Sequence, residues 1–260
     1  MSKTRIPYVL NDDGTPGEAW NPITGCTPVD EGCRNCWAQK YLERFGQLKE
    51  IYLHKERITQ PLGWKKSRTV AVCFMGDLFH EDIKFNDRMF LCQILEMIEK
   101  TPQHRYLLLT KRIERMKEFI NFCFQETSKT DNIWLGVTVT NQKTADERIP
   151  ILLSIPAVHH WVSYEPALDF VDFLPFLYYS DNIENRTQKI SLIVMGAESG
   201  HGARPMNIEW ARSVRDQCIE VAIPFYYKQG DGDDGQWTHM PVLDGKIWNQ
   251  IPWIKENNNG

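Results

Sequence analysis

The sequence predicts an α/β fold: a single-domain partial (β/α)6-type barrel with parallel strands, spanning residues 1–260. Two observations carry this expectation. From about residue 70 onward, short apolar β-rich runs alternate with amphipathic helical stretches, and that alternation requires parallel crossovers. The units number six or seven, too few for a complete eight-fold barrel. A doubly wound open sheet satisfies the same pattern and stays open as the alternative. A chain of 260 residues can bury one substantial core.

The elements follow in order. A short strand is expected ahead of a cysteine-bearing loop at about 20–46, which runs into a helix from Trp37 to Phe45 ended by Gly46. TVAVCFM is the first strand of the regular series. A helix from an Asn86 N-cap to about Lys100 follows, with Phe90, Leu91, Ile94, Leu95 and Ile98 at helical spacing. RYLLLT is the next strand, and Ile113, Met116, Ile120 and Cys123 mark one face of the helix after it. NIWLGVTV leads to a helix near Gln142 to Leu153 that Pro150 kinks or shortens. HHWVSY precedes a short irregular helix around Val171 to Tyr178. SLIVMG precedes a helix starting near Asn207, with Trp210, Val214, Cys218 and Val221 on one face. PFYYKQ closes the series. Residues 230–260 form a C-terminal extension with a frayed polar tail.

Composition bounds the function. Hydrophobic residues at 42% and charged residues at 25% are ordinary for a soluble globular protein. No apolar run approaches the ~20 residues that cross a bilayer, so no membrane association is expected. A net charge of -4 argues against a generally basic nucleic-acid coat protein but leaves room for a local basic groove. The opening MSKTRIPYVLNDDG has no apolar signal region, so a reducing cytoplasm is the expected setting.

The stretch WNPITGCTPVDEGCRNCW places Cys26, Cys33 and Cys36 at spacing C-x6-C-x2-C, with Gly25 and Gly32 freeing the backbone before the first two sulfurs. Three thiolates on one loop can hold a metal centre. An iron–sulfur cluster bound by three cysteines keeps one iron open for a ligand, whereas structural zinc closes with four ligands. Zinc with His54 or a distant residue as fourth ligand is the alternative. Disulfide pairing within the loop is disfavoured by the odd total of 7 cysteines and the reducing setting. Cys73, Cys92, Cys123 and Cys218 fall within apolar patterns and read as core residues.

Chemistry in α/β folds gathers at the carboxyl ends of the strands. Here those ends carry Gly76, Asp77, His80 and Glu81, then Thr110, Lys111 and Arg112, then Thr138, Thr140 and Asn141. Ser163 and Glu165 follow the fourth strand, Gly196, Glu198 and Arg204 the fifth, and Lys228 and Gln229 the last. Six such ends in succession point to one convergent site. The loop MGAESGHGARP is glycine-rich but matches neither a phosphate loop nor a dinucleotide fingerprint.

Asn21-Pro22, Gly25-Cys26, Cys33 and Cys36-Trp37-Ala38 resemble the cysteine loop of radical S-adenosylmethionine proteins of the spore-photoproduct-lyase type. Over Trp20 to Gln229 the chain resembles the phage Gp37/Gp68 family, a domain of unknown function, through WNPITGC, MGDLFHED, LLTKR, WLGVTVTNQ, SYEP, GAESGHGARPM and FYYKQ. The first cysteine interval is three residues longer than the usual C-x3-C-x2-C, and Asn35 stands where an aromatic residue often precedes the third cysteine.

The resemblance implies a 4Fe-4S cluster on Cys26, Cys33 and Cys36, with S-adenosylmethionine on its open iron and an external electron donor. A 5′-deoxyadenosyl radical would then act on an unidentified substrate, phosphorylated or nucleic-acid-derived, in the cytoplasm of a bacterial or phage-infected host cell. Gly76 and Asp77 are placed for the cofactor's amino group. Thr138, Asn141 and Glu165 are placed for ribose, and Gly196 and Glu198 for adenine or substrate. His80, Lys111, Arg204 and Lys228 are candidate catalytic or substrate contacts, the three cations suiting an anionic group.

Two rival functions stand beside this one. A non-catalytic zinc- or cluster-bearing nucleic-acid-binding module is suggested by IYLHKERITQPLGWKKSR, where basic residues flank Tyr52 and Trp64. A hydrolase using Asp77, His80 and Glu81 lacks any accompanying nucleophile motif.

Overall fold

The computed structural model describes residues 3–44, 50–83, 88–123, 131–178 and 189–254. Its centre is an eight-stranded sheet. Seven strands are parallel and lie side by side in chain order: β1 (Glu18–Trp20), β4 (Thr69–Val72), β5 (Arg105–Thr110), β6 (Ile133–Val139), β7 (His159–Tyr164), β8 (Ile190–Gly196) and β9 (Phe225–Asp231). A last strand, β10 (Trp237–His239), adds antiparallel to β9. Two-residue strands form two small ladders outside the sheet, β2 (Ile23–Thr24) with β3 (Tyr52–Leu53) and β11 (Val242–Leu243) with β12 (Lys246–Ile247). The strand order never reverses, as it must in a doubly wound sheet, so that alternative is set aside.

The helices are α1 (Trp37–Arg44), α2 (Arg88–Lys100), α3 (Ile113–Cys123), α4 (Gln142–Leu153), α5 (Leu174–Leu177) and α6 (Ile208–Glu220). Alternation along the strands divides their side chains between two apolar clusters. Val70, Val72, Leu108, Val137, Val162 and Ile193 join Ile94, Met116, Ile149 and Val214 from α2, α3, α4 and α6 in the larger one. Ala71, Leu107, Trp134, Trp161, Val194 and Tyr226 point the other way. Residues from both chain ends cover them, chiefly Tyr8, Val9 and Ile251, with Trp253 packed alongside. Gly136 leaves room for this second layer: a Cβ there would stand 2.3 Å from the Trp161 indole.

Several sequence expectations are refined. α4 starts on an Asn141 capping box and continues past Pro150 to Leu153, so the proline does not shorten it. α5 is only four residues long, and Asn207 does cap α6. The expected Asn86 cap and the Phe45–Gly46 helix end lie outside the described residues. Cys73 and Cys218 are buried, as core residues should be. Cys92 and Cys123 are not separate core thiols: they form a disulfide joining α2 to the end of α3. Among the described residues no helix is long and apolar enough to cross a membrane.

Candidate metal and cofactor site

At the carboxyl edge of the parallel sheet lies a cavity of about 1280 Å³. Its wall includes Cys26, Cys33 and Cys36 together with residues from the strand ends: Gly76 and Asp77, Thr110 and Lys111, Thr138, Ser163 and Glu165, Glu198, and Lys228. The cysteine loop therefore sits over the point where the strand ends converge.

Local backbone chemistry allows this close approach. Gly25 pairs with Gly76 in a parallel bridge that lays the loop on the end of β4. Gly25 has φ 95°, and a Cβ on it would meet the Glu50 carbonyl oxygen at 2.0 Å. A Cβ on Gly76 would stand 2.7 Å from the Gly25 oxygen.

The loop is then clamped by polar contacts from four strand ends. Arg112, after β5, is the largest clamp. Its Nη1 donates to Asp77 Oδ2 at 3.0 Å and approaches Cys26 Sγ at 3.5 Å. Its Nη2 donates to the Thr27 carbonyl and hydroxyl at 3.1 and 3.0 Å, and its Nε is paired with Glu81. His80 is fully buried and meets Thr27 Oγ1 at 2.7 Å through Nε2, while its Nδ1 accepts from the Asp82 N–H. That pair of contacts assigns the proton of the neutral ring to Nε2. From α4, Arg148 bridges Asp30 of the loop at 2.6 Å and the Thr138 carbonyl at 2.7 Å, while Asn141 donates to Glu31 at 2.9 Å. Beyond β8, Glu198 accepts from Arg204 at 2.6 Å and from Asn35 of the loop at 2.9 Å.

These partners set the ionisation of the site. Burial raises the Glu198 carboxyl, but the Arg204 guanidinium and backbone N–H and the Asn35 amide outweigh it and hold the group at about 2. Arg112 likewise holds Glu81 at about 2. Burial pushes the Cys26 thiol up to about 11, with Asp77 adding to the rise and Arg112 opposing it. On the far side of the cavity, Lys228 Nζ donates to Glu165 Oε1 at 2.7 Å, and Ser163 donates to Glu165 Oε2 at 3.1 Å. Gly196 makes room for this pair, since a Cβ there would lie 2.9 Å from Glu165 Oε1.

A family described as a protein of unknown function, DUF5131, matches residues 15–252. The chain belongs to the DUF5131 family. No curated protein and no solved structure matches it.

In this DUF5131 protein the residues expected at the site divide into two groups. Cys26, Cys33, Cys36, Gly76, Asp77, Thr138, Glu165, Glu198, Lys111 and Lys228 all line the cavity. Asn141, Gly196, His80 and Arg204 do not; the first and last two grip the cysteine loop, and Gly196 accommodates Glu165. Asp77 borders the cavity, yet its carboxylate already accepts from the Phe79 N–H, the Thr110 hydroxyl and Arg112. Asp77, His80 and Glu81 thus serve the loop and do not form a hydrolytic set. Trp64 is buried against His104, with ring centroids 5.4 Å apart, which removes it as an exposed stacking residue.

His54, a possible zinc ligand in the sequence, meets Thr24 Oγ1 at 2.8 Å and Glu56 at 3.4 Å. Among the described residues no three His, Cys, Asp or Glu side chains are gathered closely enough to hold a metal ion. Asp30, Glu31, Asn35 and Arg148 were not anticipated as site residues. The signal available for them was two carboxylates inside a cysteine loop, which call for cationic partners on the strand ends.

Proposed function

We propose that this protein is an iron–sulfur enzyme of the radical S-adenosylmethionine type, related to the phage Gp37/Gp68 proteins, on a sheet curled as a partial (β/α)6-type barrel. One observation carries the reading: three cysteines of one clamped loop line the same cavity as the ends of the parallel strands. The uninterrupted strand order and, among the described residues, the packing of α2, α3, α4 and α6 on one face support the curled sheet.

The donor chemistry suits the cluster. Three soft thiols line one cavity and, among the described residues, no fourth cysteine joins them there, which is the composition of an open-iron site. N–H groups approach two of the sulfurs, Arg112 Nη1 at Cys26 and the Val29 amide at Cys33, each at 3.5 Å. N–H donors at the sulfurs would tune a cluster bound there. When bound, the cluster would supply the electron that splits the cofactor's sulfonium into methionine and a 5′-deoxyadenosyl radical.

The chain's own residues would bind, orient and exclude water. Cys26, Cys33 and Cys36 would hold the cluster, and Asp77 would act indirectly by holding Arg112 against Cys26. Glu165 and Lys228 offer a carboxylate and an ammonium group to the charged amino-acid end of the cofactor, while Thr138 and Gly76 form wall. The cavity exceeds the roughly 300–1,000 Å³ of a small-molecule pocket, leaving space for cofactor and part of a substrate. The electron would come from an external donor in the cytoplasm.

The test is anaerobic incubation of the reduced protein with S-adenosylmethionine. The reading expects 5′-deoxyadenosine and methionine, formed slowly even without substrate. A cluster-loaded protein that yields neither, and whose reduced spectrum ignores the cofactor, would refute it.

A further inference from the structure

Three large aromatic side chains stand half in solvent at the mouth of this cavity. Trp37 opens α1 directly after the third cysteine, Tyr41 lies one turn further along, and Tyr52 reaches the rim from β3. Their exposures are 50%, 50% and 46%. Aromatic surface concentrated at a cavity rim marks a place that something else covers. The cavity wall also carries two cations that make no hydrogen bond or ion pair among the described residues, exposed Arg5 and half-buried Lys111, the latter acting on the Asp30 carboxylate at longer range, whereas Arg112 and Lys228 are paired. Residues 34–44 add exposed Arg34, Lys40 and Arg44 against one acid of that stretch, Glu43, while Glu50 accepts from the Tyr52 hydroxyl. The rim is thus locally basic on a chain of net charge -4.

We propose that this rim binds single-stranded nucleic acid, with bases stacked on Trp37, Tyr41 and Tyr52 and phosphate held at Lys111 and Arg5. As a statement about substrate, it rests on the function proposed above and names the class delivered to that cavity. A mononucleotide has one base and covers one ring, whereas three rings with dispersed cations suit several consecutive nucleotides. A duplex buries the base faces that the rings require.

The experiment is fluorescence anisotropy of labelled single-stranded DNA and RNA 12-mers with the full chain, as isolated and after anaerobic reconstitution. Salt-sensitive binding to at least one single strand is expected, with the duplex of the same sequence bound more weakly. Trp37→Ala and Tyr41→Ala should each weaken binding about tenfold. Lys111→Met should weaken it and lower the salt slope by about one. All three positions are partly exposed, so folded variants are expected, checked by circular dichroism.

Absence of single-strand binding at about 50 mM salt would overturn the proposal. So would equal duplex binding, indifference to the combined aromatic variant, or a mononucleotide that displaces the 12-mer at equal concentration. Iron content and uncoupled 5′-deoxyadenosine formation, measured on the Trp37 and Tyr41 variants, separate the two claims. Lost strand binding with both retained supports the rim assignment. Strand binding by a wild-type protein that takes up no iron supports the rim while the enzyme reading fails.

Discussion

Replacing Arg112 by methionine should be among the most damaging single changes in this protein. Its side chain is 5% exposed and that of Asp77 6%, and the two meet at 3.0 Å. Methionine fills much of the volume but leaves the Asp77 carboxylate buried with the Thr110 hydroxyl and the Phe79 N–H as its remaining donors. Removing one partner of a buried ion pair costs about 3–5 kcal/mol, because the surviving charge keeps its desolvation penalty. At about 2–4 °C per kcal/mol for a chain of this size, the expected fall in Tm is roughly 6–20 °C. The Glu81 contact adds little, since that side chain is 58% exposed. Denaturant unfolding of wild type, Arg112→Met, Asp77→Asn and the double variant supplies the assay. The double variant should be less destabilised than the two singles summed, by about 1–3 kcal/mol. An Arg112→Met protein within about 1 kcal/mol of wild type, or coupling under about 0.5 kcal/mol, would refute the reasoning.

Other expectations follow from the same geometry. Gly136→Ala should lower stability by about 1–3 kcal/mol by pushing a methyl into the Trp161 indole, and Trp161→Phe should recover part of the loss; strict additivity by denaturant unfolding would count against it. His160 is fully buried, its Nε2 meets the Ile155 carbonyl, its Nδ1 has no partner, and burial lowers its pKa from 6.5 to about 4. Because the unfolded chain takes the proton first, stability should fall as pH drops from about 6.5 to 4, by about 3 kcal/mol, and His160→Gln should flatten that window. Glu198 contributes stability above its ordinary value of 4.5 that is lost as pH falls toward about 2, so Glu198→Gln should flatten the more acidic limb. An acid profile unchanged in both variants would contradict these assignments.

The regular strands were legible because a buried parallel strand needs a continuous apolar, β-branched run. RYLLLT and HHWVSY end where β5 and β7 do. The small ladders β2–β3 and β11–β12 were not legible: two residues carry no period, and β10 is exposed throughout. Nor could the Cys92–Cys123 pairing be read from two cysteines in separate helical patterns, since it depends on how α2 and α3 pack.

At the site, sequence placed the right strand ends around the cysteine loop but assigned several of them to a ligand. Asn141, Arg204 and His80 instead contact Glu31 and Thr27, at separations of 110, 173 and 53 residues. Polar residues at strand ends meet either a ligand or the loop that covers it, and only tertiary placement decides which. The acidic pair Asp30–Glu31 was the one local hint that the loop would draw in the neighbouring cations.

The most direct test of the account is iron and acid-labile sulfide per chain after anaerobic reconstitution, with electron paramagnetic resonance of the reduced protein, for wild type and for Cys26→Ala, Cys33→Ala, Cys36→Ala and Cys218→Ala. The account predicts about four irons per chain in wild type and Cys218→Ala, and loss of the cluster signal in each of the other three variants. Stoichiometric zinc without iron in wild type, or iron retained undiminished when Cys26, Cys33 and Cys36 are replaced one at a time, would contradict it.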